Sequence, residues 1–507
     1  MSCNSKPNSD LLVNSDQSYS ANPNILIFYV DDLGYGDVSC YGAKMVQTPN
    51  VDALAENGVR FTDAHSSAAT CTPSRYSLLT GNYAFRMKTG ILPGDAPLLI
   101  DPETPTLATK LKNAGYRTGV VGKWHLGLGD GQVNWNEKVF PGPKEIGFDY
   151  SFLLPSTGDR VPSVFLENQK VVNLKADDQP LRISFTDDAT DENPYQTPTG
   201  ISHPELLRQQ ADKQHSGVIV NGVSRIGFME GGESAWFVDE EFPKTFVEKA
   251  EQFITSNTDA PFFLYFSFHD IHVPRVPHKD FIRKTDMGPR GDAIVQMDWT
   301  VGQIMDVLQK HGLKENTLVI FTSDNGPVLN DGYEDNAVNK GKGHQPAGIF
   351  RGGKYSIYEG GSRVPTIVYW PKRIRSGSVN KGLWNQLDLY KSLGSLVGYG
   401  IEEGEAIDSQ NMLDVFLGES IKGRTSMVNE AFTLAYRQAD WKYIKPTEKG
   451  HSWIKAKKNI EGGISKEPQL YNLLIDSTES NNLALKYPYK VLEMDSLLQL
   501  EVSKKLK

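Results

Sequence analysis

Three short runs of apolar residues constrain the fold of this 507-residue chain more than any other feature of its sequence. They are Asn24–Val30, Pro261–Phe268 and Thr317–Thr322, and each is rich in β-branched or aromatic residues. Continuous apolar runs of about strand length are typical of strands buried on both faces of a parallel sheet. Amphipathic segments lie between them, and the periodicity of Lys244–Ser256 and Gly291–His311 predicts helices.

The alternation of strands and helices predicts an α/β fold, with a large, doubly wound, mostly parallel sheet and helices on both faces. We predict that this domain spans residues 23–414 and follows a flexible polar tail over residues 1–22. Residues 128–243 have many turn residues and little periodicity, which predicts a loop-rich insertion over the sheet edge. From residue 415 the pattern changes to short strands and a final helix. We therefore predict a smaller C-terminal α+β subdomain with a short antiparallel sheet over residues 415–507.

Charge and cysteine content exclude several classes of protein. The formal net charge is −9 and the sequence has no long cationic run, which argues against nucleic acid as a partner. Three cysteines cannot form a disulfide framework, and no apolar run approaches the ~18 residues of a transmembrane helix. The first twenty residues lack an intact signal peptide. Met1–Ser5 fits either the remnant of a bacterial lipoprotein signal, with Cys3 as the lipidated residue, or an unstructured end.

Polar side chains follow four predicted strands at the point where each strand ends. Ligands of open α/β sheets bind beyond the carboxyl ends of the strands, so we expect these side chains to converge. Each segment by itself is more typical of a turn or a helix cap. Together, three carboxylates and one amide oxygen form a set suited to Ca²⁺ or Mg²⁺, and the neighbouring imidazoles and ammonium suit an anionic substrate and proton transfer. The four segments are Asp31-Asp32, Gly122-Lys123-Trp124-His125, His269-Asp270-Ile271-His272 and Ser323-Asp324-Asn325-Gly326.

The segment Thr70–Gly81 decides between classes of enzyme. It contains Cys71-x-Pro73-Ser74-Arg75 followed by Leu78-x-Thr80-Gly81, which resembles the signature of the type I, formylglycine-dependent sulfatases of the alkaline phosphatase superfamily. Five further segments resemble blocks of this family in the expected order: Asn24–Asp37, Gly122–Gly127, Ser323–Pro327, Arg351–Pro365 and Leu470–Leu473. The chain is therefore similar to bacterial carbohydrate sulfatases and to arylsulfatase A-like enzymes.

The resemblance implies a post-translational modification and a metal. Cys71 would be oxidised to formylglycine by a formylglycine-generating maturation enzyme. Ca²⁺ would be bound by an oxygen of modified residue 71 together with the four oxygen ligands named above, Asp31, Asp32, Asp324 and Asn325.

The resemblance also implies catalytic roles by position. Arg75 would hold the modified residue, and Lys123 and His125 would contact its hydroxyl groups. His272 and Lys354 would face the sulfate group and the departing alcohol oxygen. A pKa near ~6.5 would suit His272 for protonation of the leaving group. The role of His269 stays open, and we assign no metal role to Asp270.

The implied substrate is a sulfated carbohydrate, either a polysaccharide or an oligosaccharide derived from a glycosaminoglycan. Four aromatic or polar residues are compatible with sugar contact and equally with a loop core: Tyr195, His203, Trp236 and Phe237. Three loop residues could reach the substrate, although a surface position is favoured for each: Arg160, His215 and His344. Two alternatives remain open: a phosphoester or phosphonate hydrolase of the same superfamily, and a non-catalytic protein that binds sulfated glycans. Because sulfated glycans are extracellular, we expect the periplasm or the cell surface of a bacterium. The sequence leaves the oligomeric state undecided.

Overall fold

A ten-stranded sheet forms the centre of the chain, in a computed structural model that describes residues 22–186, 188–447 and 451–506. Its strands are β1 (Asn24–Val30), β2 (Val59–Phe61), β3 (Arg117–Lys123), β4 (Tyr150–Leu154), β5 (Leu166–Glu167), β6 (Lys170–Val171), β7 (Phe262–Ser267), β8 (Thr317–Ser323), β9 (Thr366–Tyr369) and β10 (Ser378–Asn380). They lie side by side in the order β10-β2-β9-β8-β1-β7-β3-β4-β5-β6. The three apolar runs that we predicted as strands are β1, β7 and β8, neighbours at the middle of the sheet.

The central block of the sheet is parallel. The strands β8, β1, β7, β3 and β4 all run in the same direction, and Ile27 of β1 pairs with Ile320 of β8 and with Tyr265 of β7. The strands β9, β5 and β6 lie towards the two edges and pair antiparallel to their neighbours. The predicted α/β class with a mostly parallel sheet is confirmed.

Helices cover both faces of this sheet, because alternate residues of each central strand enter two separate apolar cores. The helices α1, α4 and α5 pack on one face, and α2, α3 and α6 pack on the other. Their bounds are α1 (Pro49–Glu56), α2 (Cys71–Thr80), α3 (Leu107–Asn113), α4 (Phe242–Thr255), α5 (Pro289–Lys310) and α6 (Leu389–Leu396). The sheet is thus doubly wound, as predicted.

A second sheet lies in the C-terminal part of the chain. Its four strands, β11 (Ser426–Glu430), β12 (Leu434–Gln438), β13 (Trp441–Ile444) and β14 (Gln469–Asn472), are antiparallel. The final helix α7 (Pro488–Ser503) packs on this sheet through the buried side chains of Met494 and Leu498. These elements correspond to the predicted α+β region with a short antiparallel sheet.

The segment 128–243 contains mostly turns, short two-stranded sheets and 3-10 turns. This segment is more than a simple covering insertion, because β4, β5 and β6 join the main sheet beside β3. The predicted tail, apart from residue 22, and the lipidation hypothesis at Cys3 lie outside the described residues. Among the described residues, no helix combines the length and apolar character needed to cross a membrane.

Candidate active site

Polar side chains from four parallel strands converge at the carboxyl edge of the sheet, where α/β folds bind ligands. All of them are buried. They are Asp31 and Asp32 after β1, Lys123 and His125 at the end of β3, His272 after β7, and Asp324 and Asn325 after β8. Cys71, Arg75 and Lys354 join them from α2 and from the loop before β9. The structure therefore brings together the ten residues that were predicted as metal ligands or catalytic groups.

Cys71 is the first residue of α2, and its side chain is buried. Pro73 fits the first turn of the helix, where a backbone N–H has no intrahelical partner to lose. Gly81 ends the helix at φ 67°, and a Cβ there would lie 2.6 Å from the Cβ of Ala406. The Pro and Gly of the signature thus place the thiol at a helix N-terminus and end the helix after ten residues. Burial raises the pKa of the unmodified Cys71 thiol.

Arg75 lies one turn further along α2 and connects it to two strands. Its guanidinium donates to Asp324 Oδ2 through Nη2 at 2.7 Å and through Nε at 3.1 Å. It also donates to the backbone carbonyl of Lys123 at 3.2 Å. Burial opposes ionisation of Asp324, but Arg75 and Lys123 hold the pKa of this carboxyl below its usual range. Removing one partner of such a buried pair costs about 3–5 kcal/mol of stability.

The acidic residues of the site contain oxygen atoms that lack partners in the described chain. Asp31 Oδ1 and Asn325 Oδ1 are both buried and accept no hydrogen bond there. Burial raises the pKa of both Asp31 and Asp32, and the nearby Asp324 carboxylate adds to the increase. Unpartnered buried oxygens and mutually repelling carboxylates are the features that a hard divalent cation relieves, so these residues fit such an ion.

Two lysines offset the remaining charge of these carboxylates. Lys123 forms an ion pair with Asp31. Lys354 Nζ lies 2.9 Å from Asp32 Oδ2 and 3.0 Å from Asp331 Oδ2. Burial disfavours the charged form of Lys354, but the two carboxylates outweigh it and hold its pKa well above the usual value. Lys354 is therefore a fixed cation at the site.

His125 is oriented towards Cys71 by a backbone contact. Its Nε2 lies 3.0 Å from the carbonyl oxygen of Leu92, which can only accept a hydrogen bond, so Nε2 carries the proton. Burial, with Lys123 and Arg160, holds the pKa of His125 well below its usual range. The neutral ring then presents an unprotonated Nδ1 to Cys71 Sγ, 3.3 Å away, which is the arrangement of a base beside residue 71.

His272 is held through its other ring nitrogen, Nδ1, whereas His125 is held through Nε2. Its Nδ1 donates to the carbonyl of Val273 at 2.6 Å, and its Nε2 lies 3.9 Å from Asp32 Oδ2. Burial, Lys354 and Lys123 lower the pKa of His272 well below the value near ~6.5 that we expected from the sequence. An anion bound beside Nε2 would offset these lysines and favour the protonated ring. His269 packs its ring 5.1 Å from that of Phe242, behind His272.

A cavity of about 410 Å³ opens above Cys71, His272 and Lys354. Arg160 and His215 line it, whereas His344 instead lies 2.7 Å from Asp37, and none of Tyr195, His203, Trp236 and Phe237 is part of the lining. The sequence analysis missed the other residues of the lining, among them Asp159, Asp331, Tyr355, Phe432 and Trp453. Lys457 and Lys458 also line it, and a run of lysines was their only signal in the sequence.

The fold and the site define a class of enzyme that the comparison with known families identifies. A family model described as Sulfatase matches residues 23–399, and the chain belongs to this family. It is thus a hydrolase of sulfuric ester bonds, which decides against a phosphoester hydrolase and against a non-catalytic binding protein.

Individual relatives cover nearly the whole chain. The chain is 45% identical over 503 residues to an N-acetylgalactosamine-6-O-sulfatase of Bacteroides thetaiotaomicron, covering 98% of this chain and 95% of the relative. It is 32% identical over 413 residues to human arylsulfatase A, covering 80% of this chain and 70% of the relative. A solved structure of a sulfatase from a glycosaminoglycan-metabolism locus of B. thetaiotaomicron superimposes with a TM-score of 0.92 at 45% identity, covering 96% of this chain and all of the other.

Proposed function

We propose that this protein is a carbohydrate sulfatase that removes the 6-O-sulfate of N-acetylgalactosamine units in glycosaminoglycan-derived oligosaccharides. The observation that carries this proposal is the 45% identity to an N-acetylgalactosamine-6-O-sulfatase over 98% of the chain. The cavity above Cys71 supports it, because its lining combines cationic groups with aromatic rings. Such a lining suits a sugar that carries a sulfate group.

The proposed chemistry requires that Cys71 be converted to formylglycine and that a Ca²⁺ ion be bound by Asp31, Asp32, Asp324, Asn325 and residue 71. Hydrated formylglycine supplies an oxygen nucleophile with a second hydroxyl on the same carbon, which allows sulfate to be released afterwards. Bound there, Ca²⁺ would act as a Lewis acid and offset negative charge on the sulfate ester.

The chain's own residues orient the substrate and move protons in this proposal. Lys123 and Lys354 are fixed cations beside residue 71 and hold the sulfate oxygens by charge. His125 Nδ1 accepts a proton from the side chain of residue 71, towards which Leu92 orients it. His272, with Nδ1 held by Val273, presents Nε2 for donation of a proton to the departing sugar oxygen.

Rates on defined sulfated sugars test this function. We expect sulfate release from N-acetylgalactosamine 6-sulfate to be faster than from the 4-sulfate isomer and from N-acetylglucosamine 6-sulfate. A matched pair of aryl sulfate and aryl phosphate tests the class of ester, and the sulfate should react faster. Equal rates on both galactosamine isomers would contradict the proposed position of the sulfate, and faster turnover of the phosphate would contradict the proposed ester.

The variant His272→Ala tests the proposed proton donor. A general acid contributes about 10²–10⁴-fold for a poor leaving group, and an activated aryl alcohol needs little protonation. We therefore expect kcat on a sugar sulfate to fall at least about tenfold more than kcat on a nitrophenyl sulfate. Equal losses on the two substrates would argue that His272 only shapes the site.

The variant Trp453→Ala tests the aromatic wall of the cavity. The indole ring lies 5.2 Å from Tyr355 and 5.9 Å from Phe432, so these rings form one apolar surface. Losing part of this contact should raise KM for an oligosaccharide by about tenfold and leave kcat nearly unchanged. Trp453→Phe retains an aromatic face and is the matched control. A fall in kcat with no change in KM would contradict a binding role.

Location and maturation complete the proposal. Sulfated glycosaminoglycans are extracellular polymers, so we place the enzyme in the periplasm or at the surface of a bacterial cell.

A formylglycine-generating enzyme must act on the Cys71 segment, and this segment is buried in the folded chain. We therefore expect the modification to precede folding.

A further inference from the structure

Asp331 is a buried carboxylate at the cavity that the chemistry above does not use. It lies in the loop after β8 and contacts three groups. Lys354 Nζ is 3.0 Å from its Oδ2, Lys458 Nζ is 2.5 Å from its Oδ1, and the hydroxyl of Tyr355 is 3.2 Å from Oδ2. One carboxylate therefore connects Lys354 to a lysine from the C-terminal part of the chain.

Lys354 needs such a partner because its other contact is shared with the proposed cation. The Asp32 carboxylate, 2.9 Å from Lys354 Nζ, is one of the four side chains that fit a divalent ion. An ion bound there would draw on the Asp32 carboxylate, whereas Asp331 pairs with Lys354 and with Lys458. An ammonium on a flexible four-carbon side chain holds its position only when such contacts fix it.

Lys458 brings the C-terminal region into the site. It ends the helical turn Ile454–Lys458, and its side chain is buried against Asp331. Trp453, directly before this turn, packs on Tyr355, the residue that follows Lys354. Two contacts from one segment, an ionic one with Asp331 and an aromatic one with Tyr355, thus lie next to Lys354.

We propose that Asp331 is a positioning residue that holds the ammonium of Lys354 towards the sulfate ester, and that Lys458 fixes Asp331 in turn. This inference rests on the proposed function, in which Lys354 faces the sulfate and the departing oxygen. The C-terminal segment is then part of the catalytic apparatus, and its contribution reaches the reacting atoms through Lys354. In this proposal Asp331 acts on the sulfate ester only through Lys354.

A double-mutant cycle between Asp331→Asn and Lys354→Met tests this proposal. Loss of a correctly placed charge in the transition state costs about 10²-fold in kcat, so each single variant should lose about that factor. If Asp331 acts only through Lys354, kcat of the double variant should lie within about threefold of kcat of Lys354→Met alone. A loss in the double variant equal to the product of the two single losses would overturn the proposal, and so would wild-type activity of Asp331→Asn.

A second variant covers the case in which Asp331→Asn fails to fold. Lys458→Met retains an apolar side chain of similar length, and we expect a fall of about tenfold in kcat with little change in KM. Lys455→Met is the matched control, because Lys455 is exposed in the same helical turn and faces Glu461 at 4.0 Å. Equal activity of the two lysine variants would contradict the role of Lys458.

Two readouts separate this inference from the proposed substrate. The kinetic cycle is measured with a nitrophenyl sulfate, so it remains interpretable if N-acetylgalactosamine 6-sulfate is not the substrate. Inorganic sulfate is titrated into the purified Cys71→Ala protein with and without Asp331→Asn, and binding is followed by calorimetry. We expect sulfate affinity to fall about tenfold with Asp331→Asn, and unchanged affinity would overturn the proposal.

Discussion

Replacing Cys71 with alanine is expected to reduce kcat for every sulfate ester by about 10⁴-fold or more, because the variant lacks the side chain from which the proposed nucleophile is made. The loss should be the same for aryl and sugar sulfates, since it affects the attack on sulfur and not the leaving group. Initial rates measure it, and a thermal melt shows whether the variant is folded. Cys40→Ala is the matched control, because Cys40 is half-buried beside Asp52 and away from the site.

The same prediction covers the wild-type protein before modification. Its thiol is buried and its pKa is raised, so the unmodified Cys71 is a poor nucleophile at neutral pH. Mass analysis of the peptide containing residue 71 should show the aldehyde or its hydrate in proportion to specific activity. Full activity in protein that carries only the thiol would contradict the proposed mechanism.

Replacing Asp31 with asparagine is expected to lower kcat by about 10³-fold, which is the second large effect. The substitution keeps the size of the side chain but removes one negative charge from the proposed cation site, and Lys123 loses its ion-pair partner. In the wild type, a chelator should produce a loss of similar size that Ca²⁺ reverses. In Asp31→Asn, Ca²⁺ should restore little activity at the same concentration.

Stability provides a readout of the cation that does not depend on activity. A ligand that binds only the folded state raises the melting temperature with its concentration. Ca²⁺ should therefore raise Tm in the wild type and in Asp306→Asn, a control at an exposed position of α5, but not in Asp31→Asn. A Tm that does not respond to Ca²⁺ in the chelator-treated wild type would exclude a cation bound by these residues.

The central elements of the fold could be predicted because they depend on local patterns. The strands β1, β7 and β8 are continuous apolar runs, and a strand covered on both faces needs no polar alternation. By contrast, β4 was not recognised within the segment 128–243, since its five residues gain their stability by pairing with β3. Pairing between distant segments leaves little trace in the sequence of either one.

The residues of the candidate site likewise fall into those that local patterns predicted and those that depend on tertiary packing. Asp31, Lys123, His272 and Asp324 were predicted because each follows a recognisable strand, and parallel strands end at one edge of a sheet. Asp331 and Lys458, which connect Lys354 to the C-terminal part of the chain, were not predicted, because they are 127 positions apart in the numbering and lie in segments without periodicity. The shifted pKa of His272 was missed for a related reason, since burial and the two nearby lysines are properties of the folded chain.

The sequence by itself determined the fold class and the family signature around Cys71, and it supplied the set of oxygen-bearing side chains that we propose as cation ligands. These features follow from residue type and from the order of neighbouring residues, both of which are visible in the sequence. Only the tertiary structure decided which ring nitrogen His125 presents to Cys71 and which one His272 presents to the cavity. It also decided which aromatic rings line that cavity, and that a C-terminal lysine reaches the active site through Asp331. Those facts depend on how distant segments pack, and packing is fixed by the three-dimensional fit of many side chains at once.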